Sequence, residues 1–187
     1  MNTSERGIMA ISTEAEYTEV YQANYTDVLR FVQRRAHPMS VDDIVGETFL
    51  AAWRRRTEVP DDARPWLFRT ARNAMANAGR GQNRQLAVAV RIGEHGAPIV
   101  DGMSAADLRL DVVAAWRELP VAEQEVLALH VWEDLDARDA ASVLGCTRAT
   151  YSMRLTRAKR HLKSVLESAV TESALTQSAP VVPATVR

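Results

Sequence analysis

The chain has 187 residues, 47% of them hydrophobic and 25% charged, with a formal net charge of −1, which suits a soluble protein that buries one large core or two small ones. Its single cysteine, Cys146, excludes an internal disulfide and a cysteine-rich zinc cluster. The longest apolar stretches, such as Leu86 to Val90, are too short to span a bilayer, and no basic-then-apolar signal pattern opens the chain, so a cytoplasmic protein without membrane insertion is expected.

Apolar residues recur at three and four positions throughout, with no sustained alternation, which predicts an all-α fold. Residues 1–12 are expected to be disordered. Thr13 and Glu16 then have capping-box spacing before a helix with the stripe Tyr17, Val20, Tyr21, Val28, Phe31 and Val32, ended by His37-Pro38. Ser40 is placed to cap a second helix that turns Val41, Ile44, Val45, Phe49, Ala52 and Trp53 inward and stops before Pro60-Asp61-Asp62. A third helix from near Pro65 buries Leu67, Ala71, Ala74, Met75 and Ala78, and closes at Gly79 and Gly81. These helices form a first unit, 13–80.

Over 81–103 the periodicity fails and Gly, Pro, Gln and Asn gather, the composition of a flexible linker. A second unit, 104–167, opens on Ser104 with a helix burying Leu108, Val112, Ala115, Trp116 and Leu119; Pro120 starts another that reaches Trp132. Asp136 then caps a short helix ending at Leu144-Gly145, and Thr147 caps a longer one that buries Tyr151, Leu155, Ala158 and Leu162. Two helices joined across a glycine in this way form a helix-turn-helix. The tail 168–187 is expected to be disordered.

The near-neutral total conceals an uneven distribution. From Arg148 to Lys163 six basic residues (148, 154, 157, 159, 160, 163) occur without an acid. The outward face of that helix reads Arg148, Ser152, Thr156 and Lys159, flanked by Arg154 and Arg157, side chains that suit guanine edges and phosphates in a major groove. A solvated basic face is the plainer alternative; cap, turn and acid-free run together favour DNA. The third helix aligns Trp66, Arg69, Thr70, Asn73, Asn77 and Arg80, a ring, guanidiniums and amides of the kind that hold unpaired bases. The plainer reading, that Trp66 plugs the core and Asn73 is merely exposed, is favoured for Trp66 and equally open for Asn73. On the second helix Asp43, Glu47 and Leu50 share a face, with Gly46 between them, either to dock a basic helix or simply to be solvated.

No phosphate loop, zinc-protease, Cys-x-x-Cys or nucleophile-elbow motif occurs, and the four histidines are scattered. An enzyme, a cofactor and a metal site are therefore not expected.

Asp42-Asp43-Ile44-Val45-Gly46-Glu47-Thr48-Phe49 followed by Pro65-Trp66-Leu67-Phe68-Arg69-Thr70-Ala71-Arg72-Asn73 resembles the polymerase-binding and promoter-melting segments of extracytoplasmic-function sigma factors. Leu119-Pro120, Ala140 to Cys146 and Thr150 to Lys159 look like the C-terminal helix-turn-helix of that family, in the same order. The resemblance covers about Tyr17 to Leu166. It implies two small helical domains joined by a flexible linker that bind core RNA polymerase, at the largest-subunit clamp and at the flap, and direct initiation at promoter DNA. Asp43 and Glu47 would dock the clamp helices, with Leu50 added from the helical spacing. Asn73 would receive an extruded minus-ten base, in a pocket shaped by the loop from about Thr57 to Arg64. Arg148, Ser152 and Arg157 would lie in the minus-thirty-five major groove. An anti-sigma protein is a further partner that the family implies.

The chain departs from the family pattern at Gly46, where glutamine is usual; at Asn77 to Arg80, in place of an Asp-x-Leu-Arg ending; and at Ala140, Ser152 and His130. Promoter sequence cannot be carried across these changes. The competing reading is a conventional helix-turn-helix regulator whose first unit dimerises or senses a ligand.

Overall fold

The computed structural model describes residues 11–81 and 112–177, with side chains over 11–78 and 112–168. Every regular element among them is helical: α1 (Glu14–Gln33), α2 (Val41–Arg54), α3 (Ala63–Gly81), α4 (112–118), α5 (Val121–Val131), α6 (Ala137–Leu144) and α7 (Arg148–Gln177), with short 3₁₀ turns at Pro38–Ser40 and Arg56–Glu58. The linker 81–103 lies outside the described residues except for Gly81, and so do Ser104 and Leu108 of the expected second-unit helix.

Thr13 and Glu16 form the full capping box on α1, satisfying backbone donors at both ends of the motif. Ser40 sits at the N-cap of α2 but makes no side-chain cap bond. The preceding 3₁₀ turn leaves it in a helical conformation (ψ −1°), whereas a capping side chain works from an extended backbone. The turn is instead held by His37, whose Nδ1 accepts from the Met39 amide at 3.3 Å. Pro65 falls in the first turn of α3, where a proline displaces no intrahelical bond.

Helices α1 to α3 pack around Val28, Phe31, Val32, Ile44, Val45, Phe49, Leu67, Phe68 and Ala71, all buried. Phe31 and Phe68 stack at 4.5 Å between centroids and 8° between planes, fastening α1 to α3. Thr48 is buried among these side chains because its hydroxyl donates to the Ile44 carbonyl at 2.7 Å. In the second half Trp116, Leu119, Leu127, Ala128 and Ala158 join α4, α5 and α7. Buried Gln124 donates to the Trp116 and Leu119 carbonyls, both at 3.0 Å, and so ties the end of α4 to α5.

Several expectations are corrected, and Ala78 of α3 and Val112 of α4, both assigned to the interior, prove to be exposed at the helix edges. Trp53, assigned to the interior of α2, is 38% exposed, and Tyr21 of the α1 stripe is 37% exposed; both rings lie at the rim of the core and pack on one another's neighbours. Ile11 is fully buried and its amide donates to the Arg56 carbonyl at 3.3 Å, so order begins before residue 13. α7 continues to Gln177, because Ala169 to Gln177 holds mostly good helix formers and the first proline comes only at Pro180. The two helical units also pack against each other, a contact on which the sequence reading was silent. Val126, Leu129, Leu135, Ala140, Ala141, Val143 and Tyr151 belong to the same apolar cluster as α1 to α3.

Ion pairs bridge the halves at the edge of that shared cluster. At the end of α1, Arg35 Nη1 lies 2.8 Å from Glu133 Oε1, and Arg34 Nη1 lies 3.1 Å from Glu133 Oε2. Arg35 and Glu133 are both buried. Desolvation pulls the Arg35 guanidinium below the usual arginine range, and Glu133 opposes that pull. Further along, Arg72 Nε of α3 is 2.7 Å from Glu125 Oε1 of α5, and this hydrogen bond holds the Arg72 guanidinium above its ordinary value.

Candidate nucleic-acid interfaces

On α3 the helical spacing brings Trp66, Arg69, Asn73 and Asn77 to one side, with Arg69, Asn73 and Asn77 exposed and Trp66 half-buried. Trp66 packs on the core edge and also lines the cleft beside α3. The Arg55 guanidinium sits 5.6 Å from its centroid. The Thr70 hydroxyl donates to the Trp66 carbonyl at 2.9 Å and is spent on the helix. Arg80 is helical, but its side chain lies outside the described ones.

The loop before α3 is anchored from both ends. Val59 is fully buried, and Arg64 Nε is 2.7 Å from Asp27 Oδ2. This anchoring brings Pro60 and Asp62 to the rim of a cleft of about 400 Å³, whose floor is Trp66, Arg69 and Asn73. A flat ring, cationic guanidiniums and a primary amide around such a space can stack, neutralise and hydrogen-bond a displaced base.

The helix-turn-helix is built by caps. Asp136 accepts from the Arg138 and Asp139 amides at 2.7 and 2.8 Å. Gly145, at φ 66°, ends α6, with the Cys146 amide donating to the Ala141 carbonyl and the Gly145 amide to the Ser142 carbonyl. This Schellman arrangement needs the left-handed conformation that glycine adopts without penalty. Thr147 then accepts from the Thr150 amide at 3.1 Å to start α7.

Tyr151 and Ala158 are buried, and Leu155 and Leu162 are partly so, which fixes the inner face of α7. Arg148, Ser152, Arg154, Thr156, Arg157 and Lys159 are all exposed on the rest of it. Two of the basic side chains have local partners: Lys159 Nζ is 2.9 Å from His130 Nε2, and Arg157 Nε is 3.4 Å from Glu123 Oε1. Glu123 also holds His161 at 2.7 Å. Met153, 69% exposed, joins this surface and was not expected there; a methionine three residues from both Thr150 and Thr156 carries no polar signal to find it by.

Asp43, Glu47 and Leu50 are exposed together on α2. A Cβ at Gly46 would meet nothing within 4 Å, so no close approach requires glycine there and the face is simply one side chain short. Trp53, on the same helix, and Tyr21 of α1 are partly exposed rings. Trp53 lies edge-on to Tyr17 at 5.0 Å, and Tyr21 is 4.6 Å from Phe49. Trp53 follows Leu50 by three residues, and that spacing could have placed it outside.

Two family models match the chain: sigma-70 region 2 over residues 20–85, and sigma-70 region 4 over residues 109–162. The extracytoplasmic-function sigma factor SigL of Mycobacterium tuberculosis H37Rv is 30% identical over 67% of this chain and 74% of its own length. The chain belongs to the extracytoplasmic-function sigma factors. SigM of Bacillus subtilis, of the same family, is 25% identical over 82% of this chain and 97% of its own length.

CnrH of Cupriavidus metallidurans is 31% identical over 68% of this sigma factor and 74% of its own length. Two solved structures share the fold: CnrH in complex with the cytosolic domain of CnrY (TM-score 0.56, 23% identity, covering 85% of this chain and 92% of that one) and RpoE with the anti-sigma factor NepR from Bartonella quintana (TM-score 0.60, 20% identity, covering 81% and 97%). As a sigma factor it directs transcription initiation by RNA polymerase. The region 2 match falls where a conventional regulator would need a dimerisation or sensing domain, and so tells against that alternative. No described helix is long and apolar enough to cross a membrane.

Proposed function

We propose that this sigma factor divides promoter recognition between two faces, with Trp66, Arg69, Asn73, Asn77 and Arg80 capturing the melted minus-ten strand and Arg148, Ser152, Arg154, Thr156, Arg157 and Lys159 reading the minus-thirty-five duplex. Asp43, Glu47 and Leu50 dock the polymerase clamp, and Trp53 and Tyr21 extend that surface with exposed rings. Residues 13–80 act as the minus-ten unit and 104–167 as the minus-thirty-five unit. The protein works in the cytoplasm without cofactor or metal, and catalysis stays with the polymerase. Because CnrH and RpoE were solved with CnrY and NepR, an anti-sigma protein is proposed as a regulator here too.

The observation that carries this reading is the cleft at the α3 face, where Trp66, Arg69 and Asn73 meet an anchored loop rather than standing as isolated exposed residues. The test is reconstitution with core RNA polymerase. The full chain is expected to join core and start transcripts at discrete promoters, Glu47→Ala to weaken assembly with core, and Asn73→Ala to leave assembly intact while reducing opening. Failure to join core, or equal loss of assembly in both variants, would sink the assignment.

A further inference from the structure

An apolar side chain occupies the centre of the outward face of α7. At about 100° per residue, helical spacing places Met153 within about 20° of the direction opposite the inner residues Tyr151, Leu155, Ala158 and Leu162. Exposed Ala149 lies one turn before it on the same line. Met153 is 69% exposed and belongs to neither apolar cluster of the described residues.

The polar groups beside it are engaged within the protein. The Thr156 hydroxyl donates to the Ser152 carbonyl at 3.0 Å, and the Thr147 and Thr150 hydroxyls meet at 2.8 Å. Arg157 lies 3.4 Å from Glu123, and Lys159 lies 2.9 Å from His130. The middle of this face therefore offers the methyl of Ala149 and the thioether of Met153, with cations around them.

A single exposed apolar side chain is ordinary on a protein surface, but the place of this one is not. Met153 stands in the second turn of α7, and the first turns of a recognition helix are the part that meets base edges. Base pairs present donors and acceptors in the major groove, and the apolar group they present there is the thymine C5 methyl. Methionine is unbranched, flexible and polarizable, so its end can settle on such a methyl, while Ala149 adds little bulk between helix and groove.

We propose that Met153 is a specificity-determining residue of the minus-thirty-five contact and reads one thymine through its C5 methyl. Arg148, Arg154 and Arg157 supply the hydrogen bonds and charge around that contact. The inference rests on the reading of α7 as the duplex-reading helix.

The test uses the full chain joined to core polymerase. DNA randomised over the promoter region is first selected by this holoenzyme, which yields the upstream element. Each thymine of that element is then replaced by deoxyuridine, which pairs identically but lacks the C5 methyl, and the two DNAs compete for holoenzyme. At one position the wild type should prefer thymine about fourfold, the factor expected for one methyl group taken out of water. Met153→Ala should bind both DNAs equally. Met153→Gln keeps the length of the side chain but ends in an amide, and should be equally indifferent; it decides if Met153→Ala loses its helical circular dichroism.

A wild type indifferent to uracil at every position, an upstream element without thymine, or a thymine preference that survives in the folded Met153 variants would overturn the role of Met153. The α7 reading would stand in those cases. If selection yields no upstream element, or if Arg148→Ala and Arg157→Ala select the same element with undiminished affinity, the reading of α7 has itself failed and the inference with it.

Discussion

The two halves of this sigma factor make their functional faces by different means. In α1 to α3 the polar face of α3 is held from behind by large rings, with Phe68 stacked on Phe31 and Trp66 at the core edge. In α6 and α7 the interior is small, with Ala140, Ala141, Val143 and Ala158 around Tyr151, and orientation comes from Asp136, Gly145 and Thr147 at the helix ends. The face proposed to grip an unpaired base rests on packing. The helix proposed to lie in a groove rests on caps and a turn.

The largest effect should come from Phe68→Ala. Loss of a fully buried ring costs about 3–5 kcal/mol, read by urea denaturation, and a loss under about 1 kcal/mol would break the claim that rings organise the first unit. Arg148→Ala should leave stability unchanged but weaken promoter binding by about 1–3 kcal/mol if it contacts a base. Competition between promoters with intact and scrambled upstream elements checks this: the variant should lose its preference between them.

Two glycine substitutions sharpen the contrast by sign. Gly145→Ala should destabilise by about 1–2 kcal/mol, because the left-handed conformation penalises a Cβ. Gly46→Ala should stabilise by up to about 1 kcal/mol, since it sits in α2 with open space around it. Thermal denaturation of both reads the difference directly.

The smallest effect is a pH dependence. Tyr151 donates to the Val126 carbonyl at 3.3 Å, and burial, with a lesser contribution from Cys146, pushes its hydroxyl up from 10.0 to about 12. A raised folded value stabilises the neutral form, so its contribution is complete below pH 10.0 and is lost as pH rises toward about 12. Absorbance titration should show a tyrosine ionising late in the wild type and missing from Tyr151→Phe.

Helix positions, the capping box, the Asp136 cap and the Gly145 turn were legible because each is a local rule about neighbouring residues. The exposed alignment of Arg69, Asn73 and Asn77, and of Arg148 with Ser152 and Lys159, followed from helical period alone. Trp53 was misplaced because a large ring at the end of an apolar stripe reads as interior whether it lies inside or at the rim. Ser40 looked like a cap, yet the 3₁₀ turn before it decided otherwise. The packing of α6 against α3, and the Arg35–Glu133 pair beneath it, join residues far apart in sequence, and no local pattern announces such a contact.

The division of labour between the two faces is tested most directly by promoter opening with core polymerase, measured as the reactivity of unpaired thymines around the start site in wild type, Asn73→Ala and Arg148→Ala. Asn73→Ala should form closed complexes normally and open about tenfold fewer of them or worse, a bidentate amide–base contact being worth about 1–3 kcal/mol. Arg148→Ala should form fewer complexes but open normally those that form. If Asn73→Ala opens promoters as the wild type does, or if both variants fail at the same step, the assignment of strand capture to α3 is contradicted.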